Sequence, residues 1–399
     1  MNNTSSSEQS FQLSSGGLMH LIQRRIRGPG AGDFPIPAQF LIAVSLLWLP
    51  LVVLTLVEGT FAGDAVAQPF IQDVVPQVRF LIALPLLLFA DLAIDPAVGV
   101  ACRNLERSGV VPDDEQPRYQ AALVELQKGR DSIWPDVVML ALAFGFTWLF
   151  QPGYGESAIQ AADTSWLWSV ADGTVDLSTA GWWYGLVSAP FFVFILFRWI
   201  WRFLIWAGFL YRVSRIPLAL RPTHPDFAGG LGILGLTQQT FSIVFVAFAT
   251  VMSSTIAHNI LFEGDTFRAS RPEIIVFIVV CIVLIYAPLL SFAKNMYTAR
   301  RIGLNQYGAL GYRLSDAFFA RWVTGAGSNV GEELKNATDA STMADYGATF
   351  DTVRSMRVVP VTLRGVLAIA ASLALPFLPL YLTEFSITDL LQRLADTLV

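Results

Sequence analysis

Residues 79–107 read RFLIALPLLLFADLAIDPAVGVACRNLER. From Phe80 to Ala101 the run is almost wholly apolar, with Arg79 before it and Arg103 and Arg107 after it. A hydrocarbon core of about 30 Å needs about 20 apolar residues in helix, so this run predicts a membrane span. Outward from it, further stretches of similar character lie at 38–57, 133–150, 183–204, 236–260, 274–293 and 360–383. The expected fold is all-α, a polytopic transmembrane helix bundle of about seven spans with a small helical cytoplasmic region. Prolines fall inside several spans, at Pro50, Pro85, Pro190, Pro288, Pro376 and Pro379. A bundle tolerates them where neighbouring helices satisfy the freed carbonyls.

Charge placement sets the expected threading. Of the 26 Lys and Arg, only Arg79, Arg268, Arg271 and Arg393 fall outside if the N-terminus is cytoplasmic. The positive-inside rule favours this arrangement. Trp148, Trp166, Trp168, Trp182 and Trp183 then flank the outer ends of spans three and four, and Trp134, Trp199, Trp201, Trp206 and Trp322 lie toward the inner side. Indoles prefer such interfaces, where the ring is buried and the N–H is wet.

Composition agrees and narrows the function. Of the residues, 54% are hydrophobic and 14% charged, with mean hydropathy +0.53; soluble domains carry roughly 25% charged residues. The net charge is −5 and no long basic run exists, so a nucleic-acid partner is not expected. Cys102 and Cys281 sit at or within spans and suggest no disulfide framework. His20, His224 and His258 have no Cys or His partner at metal-ligand spacing, so no metal is expected. No catalytic set and no cofactor motif is found. Gly230, Gly232 and Gly235 match a dinucleotide fingerprint in letter, but no strand precedes them. The glycines at 325–331 lack the Gly-Lys-Ser/Thr ending of a phosphate loop.

The chain divides into a basic cytoplasmic tail (1–36), the bundle (37–383), a cytoplasmic helical insertion (295–358) and an outer C-terminal tail (384–399). The tail is expected to be loosely attached and holds Arg24, Arg25 and Arg27; it does not read as a cleavable signal peptide. A short helix is expected near 117–130. In the insertion Leu304, Tyr307, Leu314, Phe318 and Trp322 recur at helical spacing, and a second helix is expected over 341–357.

Three groups of residues are candidates for function. Asp91 lies about 17 Å along the helix from Phe80, near mid-bilayer, where a carboxylate costs about 2.5–3.5 kcal/mol. Asp95 shares its face at i, i+4. Span five carries Thr250, Ser254 and His258 at i, i+4, i+8. With the two aspartates they outline an ion or solute pathway. Between spans four and five, Arg212, Arg215, Arg221, His224 and Asp226 precede a helix that Asp226 is placed to cap. The cations beside that helix start suit an anionic ligand or lipid headgroup. Arg198-Trp-Ile-Trp-Arg202 reads as an interfacial anchor, with Arg198 a candidate counter-ion for Asp91.

Arg79-Phe-Leu-Ile-Ala-Leu-Pro85, Arg198-Trp-Ile-Trp-Arg202 and His224-Pro-Asp-Phe-Ala-Gly-Gly-Leu-Gly232 resemble signatures of a bacterial multi-pass inner-membrane protein family without an assigned activity. The resemblance covers most of the chain from about residue 37. It implies a bacterial inner membrane and carries over no functional residue. The expected function is passage or binding of a small solute or ion, with the lipid bilayer and anionic headgroups as partners. One alternative is a membrane scaffold or sensor that holds a protein partner at 295–358. The other is an intramembrane lipid-modifying enzyme drawing on Asp91, Asp95 and His224.

Overall fold

The computed structural model describes residues 11–13, 16, 36–150, 165–171, 174–324 and 338–382. Its long helices are α1 (Ala38–Glu58), α2 (Val74–Arg107), α5 (Thr179–Val213), α6 (Gly232–Glu263), α7 (Phe267–Thr324) and α9 (Leu363–Tyr381). Between them come α3 (Gln116–Asp131), α4 (Trp134–Phe150) and α8 (Thr338–Arg354). A β-hairpin pairs β1 (Trp168–Ala171) with β2 (Thr174–Leu177) antiparallel, Trp168 opposite Leu177.

The six long helices are apolar enough to cross a membrane, and the count reaches seven if α3 and α4 form one broken span. The expected span at 133–150 is therefore the one on which a count of seven depends. Helix α4 has 17 residues, about 25 Å at 1.5 Å per residue, short of the hydrocarbon core. It meets α3 at a 45° bend. Pro135 explains the break, since proline fits the first turn of a new helix but cannot continue an old one.

Each of these long helices turns one stripe inward and leaves the rest of its apolar surface outside. In α1, Leu47, Leu51 and Thr55 are buried at i, i+4, i+8, while Leu41, Ile42, Leu46, Leu49, Val53 and Leu56 are exposed. In α7, Ile274, Cys281 and Ile285 face the bundle, and Ile275, Val276, Val279, Val280 and Val283 face away. Water-soluble proteins rarely expose contiguous apolar patches above a few hundred Å². A surrounding of lipid would remove the penalty.

Proline breaks are tied to neighbouring helices. Pro50 cannot donate to the carbonyl of Leu46, which accepts instead from Trp183 Nε1 at 3.3 Å; the adjacent Leu47 carbonyl accepts from Ser188 Oγ at 2.7 Å. Behind Pro288 the α7 ladder tightens to 3-10 over Ala287–Phe292. There Gln238 Nε2 donates to the Ile285 carbonyl at 2.6 Å, while Gln238 Oε1 accepts from Trp206 Nε1 at 3.0 Å. The Pro376 carbonyl accepts from Ser253 Oγ at 2.6 Å. Buried polar groups without partners would be costly in lipid, so these bonds fix which helices adjoin.

Several elements differ in extent from expectation. Helix α7 does not stop at residue 293 but runs for 58 residues. Its arm packs on α8 (Thr338–Arg354), where the second helix of the insertion is expected. Leu304, Tyr307, Leu314 and Phe318 are half-buried and Trp322 buried on that side, and the Tyr346 hydroxyl donates to the Tyr307 carbonyl at 2.5 Å. Part of the tail expected to be loose is held: Leu13 is 1% exposed. The 325–331 glycines and the 384–399 tail lie outside the described residues.

Candidate functional site

Asp91 and Asp95 of α2 belong to a charge cluster contributed by three helices. Arg202 of α5 donates from Nη1 to Asp91 Oδ1 of α2 at 2.8 Å, and its guanidinium lies 4.7 Å from the Trp199 ring centre. Arg198, a candidate counter-ion of Asp91, sits 3.6 Å from Asp136 of α4. Asp95 is buried and accepts the Leu13 N–H at 2.9 Å, while the Gly16 carbonyl accepts from Arg198 Nη2 at 3.0 Å. Pairing of this kind offsets the desolvation of buried charge. The cavity beside Arg198, Arg202 and Asp136 measures about 10 Å³, the space of a single water at most.

The span-five residues do not converge. Thr250 Oγ1 donates to the Val246 carbonyl at 2.8 Å and Ser254 Oγ to that of Val251 at 2.7 Å, both within α6. Such back-bonding satisfies a hydroxyl inside a helix. His258, at the far end, pairs with Gln68 Nε2 at 3.3 Å and lies 3.6 Å from Asp73 Oδ1. Asp73 caps α2 through Val75 N–H and accepts from Trp166 Nε1 at 3.0 Å. Nearby, buried Arg79 donates to the Tyr184 hydroxyl and lies 5.5 Å from the Phe192 ring centre. Arg79 and Tyr184 each open a π-helical turn, Arg79–Ala83 and Tyr184–Ser188.

The segment before α6 builds the most developed site. Asp226 accepts N–H groups from Ala228 (2.8 Å), Gly230 (3.1 Å) and Gly232 (2.8 Å), with His224 Nδ1 at 2.8 Å from its carboxylate. The residue at the N-cap position of α6 is Leu231, without a side-chain cap. Asp226 therefore caps the helix from farther upstream than expected, by folding the loop back. That fold requires Gly230, whose φ is +100° and whose added Cβ would meet Val110 Cγ2 at 2.7 Å. Burial opposes ionisation of Asp226, but the N–H donors of Ala228, Gly232 and Gly230 and the His224 ring hold its carboxyl below the usual range.

A cavity of about 480 Å³ opens beside this loop. The end of α2 (Asn104, Ser108), the loop (Arg221, His224, Asp226), the start of α6 (Leu236, Gln239) and the segment leading into α9 (Arg357, Thr362) line it. Sequence reading missed Arg357, which follows a helix and resembled an ordinary surface cation. Its guanidinium donates to the carbonyls of Asp226 and, at 3.1 Å, Val361, binding loop to α9. Arg215 and Arg221 line an adjoining cavity of about 580 Å³. Arg212 lines neither.

Fold and site define a helical protein with six or seven helices able to cross a membrane and cationic cavities at one end of its bundle. No family model, curated protein or solved structure matches the chain.

Proposed function

We propose that this protein is a membrane-embedded binder of an anionic lipid, whose phosphate-type headgroup sits in the cavity lined by Arg221, His224 and Arg357. The observation that carries the reading is that cavity itself, where Arg221, His224 and Arg357 share one lining with the exposed Leu236. The Asp226 carboxylate on its wall is already occupied by three backbone N–H donors. Among the described residues the Arg221 side chain has no such commitment. Leu236 and Leu363, at the starts of α6 and α9, are 60% and 74% exposed, a surface that an acyl chain can follow. A soluble anion has no use for it.

Native mass spectrometry of the detergent-solubilised protein with phosphatidylglycerol or phosphatidylcholine tests this. The anionic lipid should be retained selectively, and Arg221→Gln should weaken it about three- to tenfold, the scale of a lost charge-assisted bond at a partly wet site. Equal retention of both lipids, or no effect of the variant, would refute it.

A second reading, a protein-binding scaffold at 295–358, is favoured by one feature. The α7 arm leaves Tyr312, Phe319 and Val323 exposed although α8 packs beside it. A partner that co-purifies with the intact chain and is lost on deletion of 295–358 would support it. The solute-path reading rests on Asp91 and has less behind it, since that residue is tied to Arg202 beside a cavity of about 10 Å³.

A further inference from the structure

The second cavity, about 580 Å³, shares Ala219 and Arg221 with the first. Ser214 to Thr223 form one wall, and the α7 arm from Lys294 to Tyr307 forms the other. The walls are pinned together: Asn295 Nδ2 donates to the Ser214 carbonyl at 3.0 Å, and an added Cβ at Gly303 would meet Pro222 Cγ at 2.7 Å. Three cations, Arg215, Arg221 and Lys294, line the space, and among the described residues no carboxylate does. Arg215 is stacked on Tyr211 and donates to its hydroxyl. Among the described residues the side chains of Arg221 and Lys294 have no ion-pair or hydrogen-bond partner. In a chain of net charge −5, this is an uncompensated positive cleft. Like charges around one space repel, and a bound anion relieves that repulsion.

We infer that this cleft is a second anion site, for a soluble phosphate-bearing ligand, and that it competes with the lipid cavity for Arg221. Arg221 lines both spaces, and one guanidinium cannot be fully committed to two anions at once. Occupancy of either site therefore weakens the other, and the weakening is reciprocal. The ligand is soluble because the cleft's far wall lies beyond the apolar run of α7 (274–293), among Lys294, Asn295, Thr298 and Gln306. The competition rests on the lipid reading above; the second site does not.

Inorganic pyrophosphate is the probe, with sodium chloride at matched ionic strength to remove plain screening. Isothermal titration of the purified chain should detect pyrophosphate binding that Lys294→Gln weakens at least fivefold. In native mass spectrometry, pyrophosphate should lower phosphatidylglycerol retention several-fold in wild type. In Lys294→Gln the lipid should still bind and the displacement should vanish. Absence of pyrophosphate binding, or binding that Lys294→Gln leaves unchanged, overturns the second site. Direct binding without displacement of a lipid that does bind overturns the competition alone. A second phosphatidylglycerol bound in wild type, lost in Lys294→Gln and indifferent to pyrophosphate, assigns the cleft to a headgroup and overturns the soluble ligand. Lack of lipid selectivity in both proteins sinks the lipid reading and leaves the titration to decide the cleft.

Discussion

Arg202 reaches Asp91 at 2.8 Å, whereas Arg198, one turn earlier on the same helix, goes to Asp136. The two arginines thus divide between two neighbouring helices, and α5 is pinned to α2 on one side and α4 on the other.

Breaking the first pair should destabilise the protein. A fully buried pair costs about 3–5 kcal/mol to break. The Asp91 side chain is 29% exposed, so Asp91→Asn should cost about 1–3 kcal/mol. Thermal unfolding in detergent measures it, and Asp91→Asn combined with Arg202→Gln should recover part of the loss. A double variant no better than the sum of its parts would show that the pair does not act as a unit.

Asp226 predicts a pH dependence. Its carboxyl is held below the usual range, so the folded state binds its proton less readily than the unfolded chain. Its contribution is complete above the ordinary carboxylate pKa of about 3.9 and is lost as pH falls through the lowered folded value. Unfolding of wild type should therefore show an acid-side loss that Asp226→Asn reduces. An identical acid limb in the two proteins would contradict the assignment.

Gly235 sets the approach of α6 to the segment entering α9. A Cβ there would overlap the Pro360 carbonyl oxygen. Gly235→Ala should cost about 1–3 kcal/mol, the scale of overpacking, and weaken phosphatidylglycerol retention, since Gly235 and Pro360 both line the lipid cavity. Unfolding and lipid retention measured together check both effects.

The buried N-terminal segment gives another prediction. Leu13 lies buried with its N–H on Asp95, so Leu13→Asp would place a carboxylate beside a buried carboxylate. The segment should leave its slot, and Ser132→Cys, half-buried beside it, should react faster with a water-soluble maleimide. Unchanged labelling would mean that the slot stays closed without Leu13.

The long helices were legible because a window average of hydropathy decides which stretches are apolar enough to cross a membrane, and the six pass it wherever their partners lie. Loop charge supported a threading whose sidedness labelling of engineered cysteines at 104–132 and 295–358 would test. Asp91 was legible as a charge that needed a partner. Its partner was not, because Arg198 and Arg202 are one turn apart on one face and only the relative depth of two helices chooses between them. Asp73 and Arg357 escaped notice because each lies outside the apolar runs and gains its contacts from elements distant in sequence. The hairpin differs: Asp172-Gly173 between alternating residues is a turn signal, but strands of four residues each carry too short a pattern to stand out in a loop.

The prolines of α1 and α7 have a consequence for motion. A helix break is commonly thought of as a hinge, yet the loosened carbonyls of Leu46 and Ile285 are clasped by Trp183 and Gln238. Each kink is thereby a rivet between adjacent segments rather than a swivel within one. Whatever shifts when a ligand arrives, these corners should travel as rigid pieces, and flexing should concentrate in the cavity walls instead.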